Sequence, residues 1–397
     1  MGPYKDRADA MNIYLTKTVY EAALERIRWT YRQFGNNVAV AFSGGKDSTV
    51  CLHLTYTVAK ELGRLPVPVV FVDQEAEWQA TVDYVRQVMS LPWVQPYWLQ
   101  IPIKLANSTQ TADPWLHCWE PGVEWIRAQE PDAITLNVYG TDRFYEVFKE
   151  FLAHHYPGQP AALIGGVRTE ESPARKMAMT SYETYRGETW GRVQTKKHDQ
   201  YTMYPIYDWS YTDVWHCIEE QKLRYCRLYD RMYQHGIPVN QMRVSNVHHE
   251  TATHVLKFLQ EIEPDTWSRL TKRLRGLNTV CQMQDSFYTP TDLPPMFADW
   301  RDYRDHLLNN LITNPEHVAS FRKKFDAYDA NYDIEAHHRL VMVQIASILV
   351  NDFEGSKLDT FRASHAHLSK GAGTRGGAAT ARIREQMQRD NANPPTR

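Results

Sequence analysis

No stretch of this 397-residue chain approaches the roughly 18 consecutive apolar residues that a membrane-crossing helix needs. Cysteine is scarce: the five (Cys51, Cys118, Cys217, Cys226 and Cys281) are odd in number, widely spaced and without a CxxC pair. That excludes a disulfide framework and fits a reducing compartment. An excess of one charge is also missing, with 45 Lys plus Arg against 47 Asp plus Glu and a formal net charge of −2. No global basic field therefore announces nucleic acid. Internal repeats are absent, and the opening "MGPYKDRADAMNIYLTKTVYEAAL" lacks the apolar core of a secretory signal. The expectation is a cytoplasmic protein with no membrane partner. What the chain does have is aromatics, at 12% with 12 Trp and 23 Tyr, which leaves room for a stacking platform beside the core.

Apolar runs and helical periods alternate. Residues 17–34 carry Val19, Ala22, Leu24, Ile27 and Tyr31 near helical spacing. "NVAVAF" (37–42), "VPVVFVD" (67–73), "PYWLQIPI" (96–103) and "AALIGGV" (161–167) read as strands, with helices over about 48–62 and 77–90. This order predicts an α/β fold: a mostly parallel, doubly wound sheet with helices on both faces. Ligands of such sheets collect at the strand carboxyl ends. The polar clusters Ser43–Ser48, Asp73–Glu77 and Arg168–Arg175 all fall there. A Trp- and Pro-rich insertion, about 105–135, could cap the sheet. After residue 250 the pattern turns helical, over 252–262, 264–275, 316–328 and 336–352. The expected organisation is a nucleotide-binding domain over 1–250, a helical region over 251–368 and a basic tail over 369–397. From Lys370 onward that tail carries six basic and two acidic residues.

The stretch "AVAFSGGKDSTVCLHL" (39–54) interrupts a strand with Ser43-Gly44-Gly45-Lys46-Asp47-Ser48. Glycines let consecutive backbone N–H groups aim at one point, and the helix that follows adds its positive end. Ser43 and Ser48 add hydroxyls and Lys46 a cation, a set that suits pyrophosphate. The spacing is not GxxxxGK[ST]. It resembles instead the pyrophosphatase loop of the adenine nucleotide α-hydrolase superfamily. "GVRTEESPAR" (166–175) and "YPIYDWSYTDVWHCI" (204–218) are similar to two further signatures of its phosphoadenosine phosphosulfate (PAPS) reductase-like members. Related signatures occur in FAD synthetase domains.

The resemblance implies ATP or PAPS as the bound nucleotide, with Mg²⁺, and attack at the α-phosphorus with release of pyrophosphate. It places Ser43, Gly44, Gly45, Lys46, Asp47, Ser48, Asp73, Gly166, Arg168 and Arg175 at the nucleotide. Lys46, Asp47 and Arg168 would serve the chemistry, the arginines as forks for phosphate or sulfate oxygens. Asp47 could cap its helix or hold the metal, and Asp73 is expected at ribose or metal. Glu171, Ser172, Asp208, Trp209 and Cys118 are candidate substrate residues, with Asp208-Trp209 fixing a strand end and Asp213 starting a helix. No confident metal cluster is expected: Cys226, His235, His248 and His249 match no standard zinc spacing.

The chain departs from the reductases, which use a cysteine near their C-terminus, because its last cysteine is Cys281. Adenylyl transfer to an unknown acceptor is therefore preferred over sulfonucleotide reduction. A non-catalytic nucleotide sensor is the other alternative. The layout also resembles a bacterial and phage group of immunoglobulin-binding regulator-like proteins carrying an extra domain of unknown function. That implies a ParB-like protein partner, and the basic tail adds nucleic acid as another.

Overall fold

Short apolar runs become parallel strands here because each is followed by enough chain to cross back over the sheet. The computed structural model describes residues 17–107, 115–171, 183–195, 199–239, 242–244, 253–274, 292–312, 314–332, 334–353, 355–365 and 369. Helix α1 (Val19–Phe34) starts on a capping box, Thr18 with Glu21. There follow β1 (Val38–Ala41), α2 (Lys46–Glu61), β2 (Val67–Val72), α3 (Gln79–Met89) and β3 (Val94–Leu99). A hairpin, β4 (Ile103–Ala106) and β5 (Trp115–Cys118), precedes α4 (Phe144–His155) and β6 (Ala161–Ile164).

The sheet has seven strands in the order β3-β2-β1-β6, then β9 (Gln200–Met203), β8 (Glu188–Thr195) and β7 (Thr184–Tyr185). From β3 to β9 every pairing is parallel; β8 and β7 add an antiparallel margin. That margin was not legible as strands, because "ETWGRVQT" alternates poorly and holds Gly191. The chain runs outward from β1 to β3 and later returns to β1's other side with β6. The crevice at such a reversal is where these sheets hold ligands, and both the Gly loop after β1 and the Gly166–Arg168 turn after β6 open into it.

Helices α5 (Tyr211–Glu220) and α6 (Leu228–Gln234) close the sheet domain, and α5 starts on a Ser210–Asp213 capping box. The expected helical region comprises α7 (Thr253–Ile262), α8 (Pro264–Arg273), α9 (Trp300–Asn310), α10 (Pro315–Asn331), α11 (Ile334–Leu349) and α12 (Ser356–Ser364). Leu259, Ile262, Leu270 and Leu274 join the core of the sheet domain. Residues of α9–α12 build separate clusters around Phe321, Phe325, Leu340 and Ile345. Among the described residues no helix is long and apolar enough to cross a membrane.

Candidate functional site

β1 ends in a turn that only glycine can make. Gly44 has φ +72°, and a Cβ there would lie 2.9 Å from Thr81 Cγ2 of α3. The chain then enters α2 with Gly45 at the N-cap, extended at φ −78° and ψ 162°, and no side chain caps the helix. Across the crevice Gly166 is in backbone contact with this turn: a Cβ on it would stand 2.9 Å from Asp47 C and from Ser48 N. The two glycine-bearing motifs, far apart in sequence, thus meet backbone to backbone.

Not all of the loop amides are open. The Lys46 N–H donates to the Tyr229 hydroxyl at 3.1 Å, and the Ser43 N–H to Ser48 Oγ at 3.3 Å. Ser48 Oγ in turn donates to the Gly45 carbonyl and lies 3.2 Å from Ser43 Oγ. Those two hydroxyls, expected as ligand donors, are bonded to the loop itself in this state. The amides of Gly44, Gly45, Asp47 and Ser48 have no protein acceptor among the described residues. These four are what the turn offers an anion.

Lys46, expected as a mobile cation, is held. It is 8% exposed, its Nζ lies 3.3 Å from Asp47 Oδ2 and 5.5 Å from the Tyr229 ring centroid. Asp47 is neither cap nor open metal ligand: it accepts from Arg168 Nε and pairs with Lys46. Arg168, buried at 4% exposure, also donates through Nη1 to Glu170 at 2.9 Å. Burial alone would push the guanidinium pKa down, but the neighbouring Asp47, Glu171 and Glu170 carboxylates raise it, so its charge is secure. Glu171 lines the same cleft. Ser172 and Arg175 lie outside the described residues, as do His248, His249, Cys281 and the basic tail from 370 onward.

Two expectations are corrected. Asp73 does not meet the cleft: it is fully buried and accepts from Trp98 Nε1 at 2.7 Å, Gln100 Nε2 at 2.9 Å, the Glu75 N–H at 3.0 Å and Arg127. The insertion supplies that Arg127, so Asp73 anchors the insertion to the end of β2. Cys118 is not at the substrate either. It is fully buried, its thiol donates to the Gln74 carbonyl at 3.1 Å, and burial, then Glu75 and Asp73, raise its pKa well above the ordinary thiol range. Cys226 is likewise buried, with its pKa pushed up to about 11 by burial, and His235 sits 3.2 Å from Glu261. Asp208 takes a two-pronged bond from Arg26 at 2.7 Å, and Trp209 donates to the Val19 carbonyl. Together they pin this segment to α1, with the Trp209 carbonyl 3.4 Å from Arg168 Nη1.

The cleft, about 900 Å³, gathers the loop, Arg168, Gly166 and Tyr229. Sequence reading missed several of its residues. Gln74 and Glu77, at 5% and 2% exposure, line it, and each has an oxygen without a donor among the described residues. Burial, then the Asp73 charge, push the Glu77 carboxyl well above the usual range, against the lowering effect of Arg127. Their signal was the "DQEAEW" cluster at the end of β2, with only Asp73 singled out. A second hollow of about 1060 Å³ lies between α3, the 223–231 segment and the α7–α8 corner, away from the loop. It mixes Arg227, Arg231 and Arg269 with Asp83, Asp230 and Asp265, and shares no lining residue with the cleft. Among the described residues no group of three or more His, Cys, Asp or Glu could hold a metal ion. The loop's one carboxylate, Asp47, is already shared by two cations, Lys46 and Arg168.

A family model described as the phosphoadenosine phosphosulfate reductase domain matches residues 37–235, and one for a domain of unknown function (DUF3440) matches 236–338. The uncharacterized protein YbdN of Escherichia coli (strain K12) is 34% identical over 337 residues, 80% of this chain and 82% of that protein. An adenosine 5'-phosphosulfate reductase of Lysinibacillus sphaericus (strain C3-41) is 23% identical over 54% of this chain and 77% of its own length. Among solved structures, phosphoadenylyl-sulfate reductase from Candida auris aligns with 55% of this chain and 94% of its own, at 16% identity and TM-score 0.30. Candida glabrata FMN adenylyltransferase aligns over 55% of this chain at 14% identity and TM-score 0.35; the chain spans 64% of that protein.

Proposed function

The chain belongs to the phosphoadenosine phosphosulfate reductase domain family, and from that membership and the geometry of the cleft we propose that it binds ATP and transfers its adenylyl group, releasing pyrophosphate. One observation carries the reading: Gly45, Asp47 and Ser48, whose amides are unengaged among the described residues, line a single cleft with Lys46 and Arg168 at the reversal of strand order. The amides of Gly44, Gly45, Asp47 and Ser48 would hold the β- and γ-phosphates. Lys46, released from Asp47, would follow the charge onto the leaving group. Arg168, held by Asp47 and Glu170, has its Nη2 without a protein acceptor among the described residues and would face the α-phosphate. An acceptor heteroatom forms the new bond to the α-phosphorus. The bond from that phosphorus to the bridging oxygen breaks, its electron pair leaves with pyrophosphate, and the acceptor's proton passes to solvent. The protein's contribution is positioning and fixed charge.

Sulfonucleotide reduction would need a thiolate in reach of the substrate. The four described cysteines, Cys51, Cys118, Cys217 and Cys226, are all buried, which weighs against that alternative. The assay is pyrophosphate release from ATP with wild type and Lys46→Ala. Release that is lost in the variant supports the proposal. Conversion of ATP to ADP alone would refute it, and tight binding without turnover would favour a sensor.

A further inference from the structure

The phosphate end of the cleft is lined in part by chain from beyond the reductase-domain match. Residues 242–244 follow α6 and lie in the region matched by the model for the domain of unknown function, which takes over at residue 236. Met242 and Val244 are 3% and 2% exposed, whereas Arg243 between them is exposed. Two buried apolar anchors thus fix the backbone on either side of an arginine that stays in the opening. All three residues line the cleft together with Gly45 and Lys46.

Two contacts tie this short segment to the glycine turn. Thr81 of α3 donates through Oγ1 to the Val244 carbonyl at 2.8 Å. The same side chain backs the turn, its Cγ2 standing 2.9 Å from where a Gly44 Cβ would be. Val244 also reaches the turn directly: its Cγ2 would lie 3.8 Å from a Cβ on Gly45. One threonine therefore buttresses both pieces of chain, and Arg243 is the next residue along from that contact.

The cations nearest the turn are already balanced. Lys46 pairs with Asp47, and Arg168 with Asp47, Glu170 and, at 3.8 Å, Glu171. Lys149, on the α4 side of the cleft, lies 2.7 Å from Glu146. Arg243 has no carboxylate or other acceptor among the described residues. With the α-phosphate beside Arg168, the outermost phosphate of a triphosphate is the one left without a countercharge. An arginine fork at the lip of the turn fits that need.

We propose that Arg243 binds the terminal phosphate of a nucleoside triphosphate, so that the second domain completes a phosphate site which the glycine loop begins. The inference rests on the nucleotide reading of the cleft and adds a selectivity to it, triphosphate over monophosphate.

The test titrates full-length wild type, Arg243→Gln and Arg243→Lys with a non-hydrolysable ATP analogue, with AMP and with inorganic tripolyphosphate, and follows pyrophosphate release from ATP. Wild type is expected to bind the analogue and tripolyphosphate. Arg243→Gln should weaken both about tenfold, the size of one lost charge-assisted hydrogen bond, and leave AMP within about twofold. Arg243→Lys should recover part of the loss, because it keeps the charge and gives up the fork. Melting of the ligand-free protein should be the same in all three, since the side chain is exposed and bonds no described group. An Arg243→Gln protein that binds the analogue like wild type, or loses AMP in equal measure, overturns the proposal and leaves the nucleotide reading intact. Selectivity that depends on Arg243 in a protein releasing no pyrophosphate would instead remove adenylyl transfer and leave the proposal standing. A wild type that binds neither the analogue nor tripolyphosphate sinks both.

Discussion

Two alanine substitutions separate a glycine the fold needs from one only a ligand needs. Gly45 is extended, and a Cβ on it would meet Ser43 Oγ at 3.5 Å, Tyr229 Oη at 3.6 Å and Val244 Cγ2 at 3.8 Å, all ordinary contacts. Gly45→Ala should therefore leave the melting temperature nearly unchanged, since the unfolded-state gain of about 0.4–1 kcal/mol at a compatible position is offset by Ala being a poorer N-cap than Gly. The same methyl projects among cleft-lining atoms where the phosphate would sit. Nucleotide affinity should then fall at least tenfold, about 1.4 kcal/mol. Gly166→Ala is the opposite case. Its Cβ would be 2.9 Å from two backbone atoms of Asp47 and Ser48, so the loop or the β6 turn must shift by several tenths of an ångström. Overpacking of this kind costs about 1–3 kcal/mol, and this variant should lose both stability and nucleotide binding. Thermal melts and equilibrium titration with an ATP analogue read the two effects. A Gly45→Ala protein that binds nucleotide like wild type would refute the phosphate role of the loop.

Three other consequences can be measured directly. Because the Glu77 carboxyl is held above its usual range in the fold, its contribution is fully present below the unfolded pKa, about 4.3, and is lost as pH rises. Glu77→Gln should thus melt higher than wild type at pH 7 and lose that advantage near pH 4; parallel pH profiles would contradict the assignment. The Cys118 thiol should resist iodoacetamide in the native protein at pH 8, and Cys118→Ser should keep pyrophosphate release; loss of release with the fold intact would restore the cysteine to the site. Glu263, from the α7–α8 corner, accepts the first amides of α3, Gln79 at 2.7 Å and Ala80 at 2.9 Å. Its replacement by Ala should destabilise the protein by about 0.5–2 kcal/mol, the usual worth of such a cap, with a near-neutral melt speaking against the contact.

The phosphate loop was legible because its information is local: a β-branched strand, two glycines and a helix start lie within ten residues. Gly166 and Arg168 were legible by motif, and the parallel sheet by alternation. What stayed hidden acts across the chain. Tyr229 reaches back 183 residues to take the Lys46 amide, and nothing in its neighbourhood announces that. Asp73 sits where a ligand residue would, but Arg127 of the insertion, Trp98 and Gln100 saturate it. Cys118 drew attention by its Trp-rich setting, yet the β4–β5 hairpin turns its thiol into the core. The outer cleft depends on β8 and β9, whose short polar alternation was too weak to be read as strands.

The central claim is that two linked phosphates rest on the amides of Gly44, Gly45, Asp47 and Ser48. A crystal structure with a non-hydrolysable ATP analogue tests it most directly. Phosphate oxygens should lie within about 3 Å of those nitrogens, with Lys46 swung from Asp47 toward them and the α-phosphate beside Arg168. A nucleotide seated elsewhere, for instance among Arg227, Arg231 and Arg269 beneath α3, with the loop amides still bare, would contradict it.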